Sequence, residues 1–173
     1  MELVLVLHNI RSTGNVGSIL RTADGLGVSK VILSGYTPRI DDARVLPHLR
    51  EKLNKKIQKT ALGAEKFVEN YAVEDIFGEL KTLKEAGFKV VGLENNIETE
   101  KPFFKIETGK FSELSTALKK KVVLVLGEEV EGIPESLYEM IDVFLEIPMK
   151  GQKESFNVSV AAGIAGFVLM NLD

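Results

Sequence analysis

The chain of 173 residues contains no cysteine, and its only histidines are His8 and His48. Disulfides and thiolate metal sites are therefore excluded, and a zinc or non-haem iron centre is not expected. No apolar run approaches the roughly 20 residues needed to span a bilayer. Residues 3–7 are too short for a signal-peptide core and no basic segment precedes them, so the sequence predicts a cytoplasmic protein without membrane contact. The usual nucleotide fingerprints are missing as well. The loop after the first apolar run is not G-x-G-x-x-G. Gly127 to Gly132 has P-loop glycine spacing, but Ile133-Pro134 follow where Lys and Ser/Thr belong, and its three carboxylates would repel phosphate. There is no G-x-S-x-G elbow, so hydrolase and kinase readings fall away. Nor does a net charge of −3 advertise a nucleic-acid binder.

What is present is an alternation of short apolar runs and amphipathic segments. Leu3–Leu7, Lys30–Ser34, Phe88–Leu93, Val122–Leu126 and Val143–Ile147 read as strands buried on both faces, with a further short strand within Glu65–Val73. Val16, Ile19, Leu20, Ala23 and Leu26 mark one face of a helix closed by Gly25 or Gly27. A second helix covers Asp75–Ala86, with Ile76, Phe77, Leu80 and Leu83 expected inward. Pro134 opens a short helix through Met140. The last helix begins behind Ser155 and Asn157 and is apolar nearly all round, which predicts that it is buried. Residues 94–120 give a polar loop, a short apolar piece at Phe103–Ile106 and a helical turn near Leu114–Leu118. The pattern predicts one domain, residues 1–173, built as a mostly parallel α/β sheet with helices on both faces.

Ligands of such sheets gather at the carboxyl ends of the strands. Three polar loops follow strands in that way: 8–15, 127–132 and 148–157. Between residues 39 and 59 lies a local basic stretch, with Arg39, Arg44, Arg50, Lys52, Lys55, Lys56 and Lys59 against Asp41, Asp42 and Glu51. By itself such a run reads first as a solvated helix face.

Three segments carry a resemblance. Asn9 to Asp24 (NIRSTGNVGSILRTAD), Val123 to Ile133 (VLVLGEEVEGI), and Ile147-Pro148-Met149 with Ser155 to Ala162 (SFNVSVAA) resemble, in order, the three motifs of the SpoU/TrmH branch of SPOUT RNA methyltransferases. The resemblance implies a C-terminal deep trefoil knot, a homodimer, S-adenosylmethionine bound in the knot loops, and methylation of a ribose 2′-hydroxyl in RNA, with tRNA favoured over rRNA. The last helix would be the dimer surface. A domain without the N-terminal RNA-binding extension that many relatives carry is expected, which would itself grip RNA. A non-catalytic RNA-binding or assembly factor that keeps the cofactor pocket is the alternative. A small-molecule or protein methyltransferase is a third reading, and would show no salt-sensitive RNA binding.

Read from the residues alone, Arg21 is an exposed helical arginine, Asn15 a helix N-cap, Glu129 a turn carboxylate, and Ser155 and Asn157 caps of the last helix. The resemblance makes Arg21, Asn15, Glu129, Ser155 and Asn157 catalytic. It assigns Leu126, Gly127, Ile147, Pro148, Met149, Ser155, Asn157, Val158 and Ala161 to the cofactor, and Asn9, Arg11 and Arg21 to RNA, with Arg39 and Arg44 of the basic stretch expected to meet RNA beside them. Arg21 would hold the ribose and a neighbouring phosphate bidentately. Proton removal by Arg21 or with help from that phosphate stays open, since guanidinium loses its proton only far above neutral pH. Val130 stands where many relatives have Gly, and Glu128 where Asn or Ser is common, which puts the geometry of that loop in question.

Overall fold

A computed structural model describes residues 1–107, 111–118 and 120–172. In chain order its elements are β1 (Glu2–His8), α1 (Thr13–Leu26), β2 (Lys30–Ser34), α2 (Pro47–Ala61), β3 (Asn70–Val73), α3 (Ile76–Glu85), β4 (Lys89–Leu93), β5 (Phe103–Lys105), α4 (Phe111–Leu118), β6 (Lys121–Leu126), β7 (Val143–Glu146) and α5 (Val158–Met170). Single 3-10 segments cover Ala64–Lys66 and Glu135–Met140. The strands form one sheet in the order β3-β2-β1-β6-β4-β7-β5, and every pairing is parallel. β6 thus enters between β1 and β4, and β7 between β4 and β5.

The apolar runs are continuous because both faces of the sheet are covered. Leu3, Leu5 and Leu7 of β1, with Val122, Leu124 and Leu126 of β6, pack against α1, α2, α4 and α5. Val4 and Val6, with Val123 and Val125, turn the other way, toward α3 and Leu137 of the second 3-10 segment. A one-residue slip in register would exchange these two sets, so register is strongly specified. Phe77 does not join this core. Ile76, Leu80 and Leu83 take the i, i+4, i+7 positions of the inner face, and Phe77, one step round the helix, is exposed.

Two helix contacts depend on glycine. A Cβ on Gly17 would lie 2.2 Å from Thr60 Oγ1 and 2.3 Å from the Ile57 carbonyl oxygen, so α1 and α2 approach closely there. A Cβ on Gly166 would lie 2.8 Å from Leu26 Cδ1, so the small residues of α5 admit α1 of the same chain. α5 is therefore not buried on all sides. Ala162, Ala165, Gly166 and Leu169 face inward, while Val160 and Phe167 are 48% and 61% exposed. Among the described residues no helix is long and apolar enough to cross a membrane.

Candidate functional site

β1, β4, β6 and β7 all end at one edge of the sheet, and the loops that leave them meet there. α1 is capped by Ser12, whose Oγ accepts from the Asn15 amide at 3.2 Å. Asn15 is consequently inside the first turn and not the N-cap expected from the sequence, and its side chain is released for a longer contact. Its Nδ2 donates to Glu129 Oε1 at 2.9 Å, and its Oδ1 accepts from Asn157 Nδ2 at 3.1 Å. Glu129 also accepts from the backbone N–H of Arg11 (2.9 Å) and of Ser12 (3.1 Å). Asn157 is the cap of α5, its Oδ1 accepting from the Ser159 N–H at 2.9 Å and the Ser159 hydroxyl at 2.6 Å. Glu129, Asn15 and Asn157 so tie three loops into one hydrogen-bonded chain. Ser155 is not a cap; it is exposed on the cavity wall.

Burial pushes the Glu129 carboxyl up, but the donors from Arg11, Asn15 and Ser12 together outweigh it and hold the group below its ordinary value. It is an anion at neutral pH. Next to it, Glu128 is buried and folds back over its own turn, accepting from the N–H groups of Val130 (2.7 Å) and Glu131 (2.5 Å), while its other oxygen pairs with Arg11 Nε at 2.5 Å. The geometry of this loop follows. Gly127 must lack a side chain, because a Cβ would lie 2.2 Å from the Gly132 carbonyl carbon and 2.3 Å from the Ile133 nitrogen. Val130 is not among the residues with positive φ and its side chain is 74% exposed, so glycine is not required there.

Beside this junction lies a cavity of about 290 Å³, at the small end of the range for ligand sites. Of the residues that the resemblance assigns to the cofactor, Leu126, Gly127, Ile147, Ser155, Asn157, Val158 and Ala161 line it, whereas Pro148 and Met149 are not part of its wall. The sequence reading missed the contribution of β4, whose end supplies Leu93, Glu94, Asn95 and Asn96, and also missed Glu154 and Phe156. Asn95 Nδ2 donates to the carbonyls of Ile147 (3.3 Å) and Glu154 (3.1 Å), closing the loop before α5 at both ends. Glu94 Oε2 accepts from the Ile133 N–H at 2.9 Å. Residues 94–96 were legible in principle, since they follow a buried parallel strand as the other three loops do. The lining thus combines the apolar Leu93, Leu126, Ile147, Val158 and Ala161 with the carboxylates of Glu94, Glu128, Glu129 and Glu154, a setting that suits a ligand with an aromatic body and positive charge.

The residues expected to meet RNA fare differently. Arg21 is exposed on α1, makes no hydrogen bond or ion pair with the described residues, and does not line the cavity of its own chain. Asn9 sits at φ 61° and closes a turn, its Oδ1 accepting from the Tyr36 N–H and its Nδ2 meeting His8 Nε2. Arg39 pairs with Asp42 at 3.4 Å and Glu74 at 3.1 Å. Arg44 grips both oxygens of buried Asp42 and the carbonyls of Gly35 and Thr37, and holds the Asp42 carboxyl down at about 2. Both guanidiniums are committed to shaping the loop after β2. Among the described residues no cluster of His, Asp or Glu is arranged to hold a metal ion.

A parallel α/β domain with a small-molecule cavity at the carboxyl ends of its middle strands is the class that this geometry defines. The chain belongs to the SpoU rRNA Methylase family, whose model matches residues 2–167. Among its relatives is the 23S rRNA (guanosine-2′-O-)-methyltransferase RlmB of Xylella fastidiosa, 33% identical over 165 residues, 95% of this chain and 57% of that protein. The chain therefore spans just over half the length of the curated relatives it matches. The fold is that of an AdoMet-bound rRNA methyltransferase from Sinorhizobium meliloti (TM-score 0.72, 24% identity, 97% of this chain and 55% of that one). It is likewise that of the A. aeolicus TrmH/SpoU tRNA modifying enzyme (TM-score 0.73, 24% identity, 99% and 75%).

Proposed function

We propose that the chain transfers a methyl group from S-adenosylmethionine to a ribose 2′-hydroxyl of RNA. The observation that carries this reading is the Glu129–Asn15–Asn157 junction set against a cavity lined by both apolar residues and carboxylates. The cofactor supplies a methyl group made electrophilic by its sulfonium. The residues present fit such a molecule: Leu126, Ile147, Val158 and Ala161 offer an apolar surface to the adenosine, and Glu129 and its acidic neighbours favour positive charge. Asn15 and Asn157, each fixed by a second contact, hold the loops at the alignment a displacement needs.

Arg21 is free to bind a ribose oxygen and a phosphate together. It stands outside the cavity of its own chain, so a second copy is part of the reading. α1 packs on α5, and the exposed Val160–Phe167 face of α5 is the apolar surface a second copy would cover, letting the arginine of one copy serve the cavity of the other. The dimer surface is this face and not the small-residue stripe, which α1 already occupies. We also infer that the segment after β7 is threaded as a trefoil knot. The insertion of β7 between β4 and β5, and the clasp of Asn95 on the loop before α5, support that threading.

The preference for tRNA has no support among the sequence relatives named above, so rRNA is the first substrate to test. Labelled methyl from S-adenosylmethionine is offered to unmodified rRNA and tRNA pools, beside Arg21→Ala, and the digested nucleosides are identified. A 2′-O-methylnucleoside formed by the wild type and lost in the variant is the expected result. Cofactor binding without label in either pool would favour the non-catalytic RNA-binding factor.

A further inference from the structure

The cations of α2 that the loop after β2 does not use form a single ridge. His48, Lys52, Lys55, Lys56 and Lys59 all face solvent, with Glu51 the one acid among them. α2 carries Arg50 and four lysines against Glu51, a net +4 in a chain whose total is −3. The lysines stand at helix-neighbour spacings, 52 to 55, 52 to 56, 55 to 59 and 56 to 59, where like charges oppose helix formation. Only Lys55 is relieved, by Glu51 at 2.6 Å. Lys52, Lys56 and Lys59 have no ion-pair partner among the described residues. A helix selected for stability alone would intersperse acids here.

Position gives the ridge its direction. Only Ile57 and Ala61 of α2 are buried, and the C-terminal half is the anchored half. Thr60 Oγ1 donates to the Gly14 carbonyl at 2.9 Å, one residue before Asn15, and the absent side chain of Gly17 lets the two helices meet. Lys56 and Lys59 therefore lie within a helical turn of the point where α1 begins and the Asn15–Glu129 junction is made. From Lys52 to Lys59 the ridge runs about 10 Å along the helix axis. We propose that this ridge is the phosphate track of the protein: the RNA backbone flanking the target nucleotide runs along the solvent face of α2, held by Lys52, Lys56 and Lys59. Flexible, unpaired ammonium groups suit backbone contacts, which position a strand without reading its bases. The inference rests on the RNA-methylating reading above and adds where the strand lies. It also replaces Arg39 and Arg44 as the RNA contacts.

The test is a triple charge reversal in the full chain, Lys52→Glu with Lys56→Glu and Lys59→Glu. Its control is Lys81→Glu, an exposed lysine of α3 on the opposite face of the sheet. Binding of unmodified 23S rRNA and tRNA transcripts is followed against KCl concentration, with cofactor affinity and melting temperature measured in parallel. The triple variant should melt and bind S-adenosylmethionine as the wild type does, and lose RNA affinity at least tenfold near physiological salt. Its log K against log [salt] slope should shrink by about 2, at roughly 0.7 per phosphate on a single strand. Lys81→Glu should change neither. Salt-dependent RNA binding that survives the triple change with its slope intact would overturn the track while leaving the methyltransferase reading in place. Wild-type protein that binds neither cofactor nor RNA would remove both, and retention on anionic vesicles without RNA binding would assign the ridge to a membrane surface and refute the proposal.

Discussion

Replacing Glu129 by alanine removes one acceptor from three donors at once. Two are backbone amides, of Arg11 and Ser12, and the third is the side chain of Asn15. Hydrogen bonds to a charged group contribute about 1.5–3 kcal/mol each when fully buried. Glu129 is half-buried and the Arg11 contact is exposed, so water re-satisfies part of the loss. Roughly a third of the buried figure for each gives a total near 2 kcal/mol. For a domain of this size that is about 4–8 °C in melting temperature. Function should suffer more than stability, because Asn15 loses its anchor and Asn157 is then held from one side only. Methyl transfer is expected to fall by about 100-fold, a loss of alignment. The pH dependence carries an independent sign. The folded carboxyl lies below its ordinary 4.5, so its contribution is fully present above 4.5 and is lost as pH falls through the depressed folded value. The gap in melting temperature between wild type and Glu129→Ala should be full at pH 7 and close progressively below 4.5. Calorimetric melts from pH 7 to pH 3 read both effects. A variant that melts within 1 °C of wild type at pH 7, or a gap that widens in acid, would refute the reasoning.

Gly127→Ala places a methyl group against the backbone of Gly132 and Ile133, neither of which can yield as a side chain would; destabilisation of at least about 2 kcal/mol and loss of measurable cofactor binding are expected by thermal melt and titration calorimetry. Asn95→Ala removes two hydrogen bonds, one exposed and one part-buried, that shape the cavity without supporting the core, so cofactor affinity should weaken about fivefold, near 1 kcal/mol, while the melting temperature hardly moves. Phe167→Glu puts a charge on the exposed apolar face of α5 and should break the proposed dimer in sedimentation without unfolding the chain; a variant that stays dimeric would move the interface elsewhere.

The central sheet was legible because strands covered on both faces leave continuous apolar runs, as in Leu3–Leu7 and Val122–Leu126. Their order was not, because β6 pairs with β1 across more than a hundred residues and no local pattern records that choice. β5 is only Phe103–Lys105, with both phenylalanines half-buried, too short for alternation to identify it. At the site, the loops after β1, β6 and β7 followed from the general behaviour of parallel sheets, while the loop after β4 was passed over for want of a motif. Asn15 is not the cap because Ser12, three residues earlier, caps the helix through the amide of Asn15 itself and is no poorer a cap in sequence. Arg39 and Arg44 were assigned to RNA although Asp42 lies within three residues of each; only the folded loop shows that it binds both. The apolar character of α5 was real, but apolar on every side meant one face for the chain and another left open.

The hydrogen bond from Asn157 to Asn15 joins residues 142 positions apart. A chain emerging from the ribosome makes β1 and α1 well before Asn157, so the two halves of the junction are separated by the synthesis of everything between them. β1 too must wait for β6 before its second edge is paired. Sequence-distant pairings of this kind slow folding and leave strand edges unsatisfied in the interval. The cavity is thus complete only once residues 154–161 have been made, and a nascent chain lacks it until β1, β6 and the start of α5 have come together.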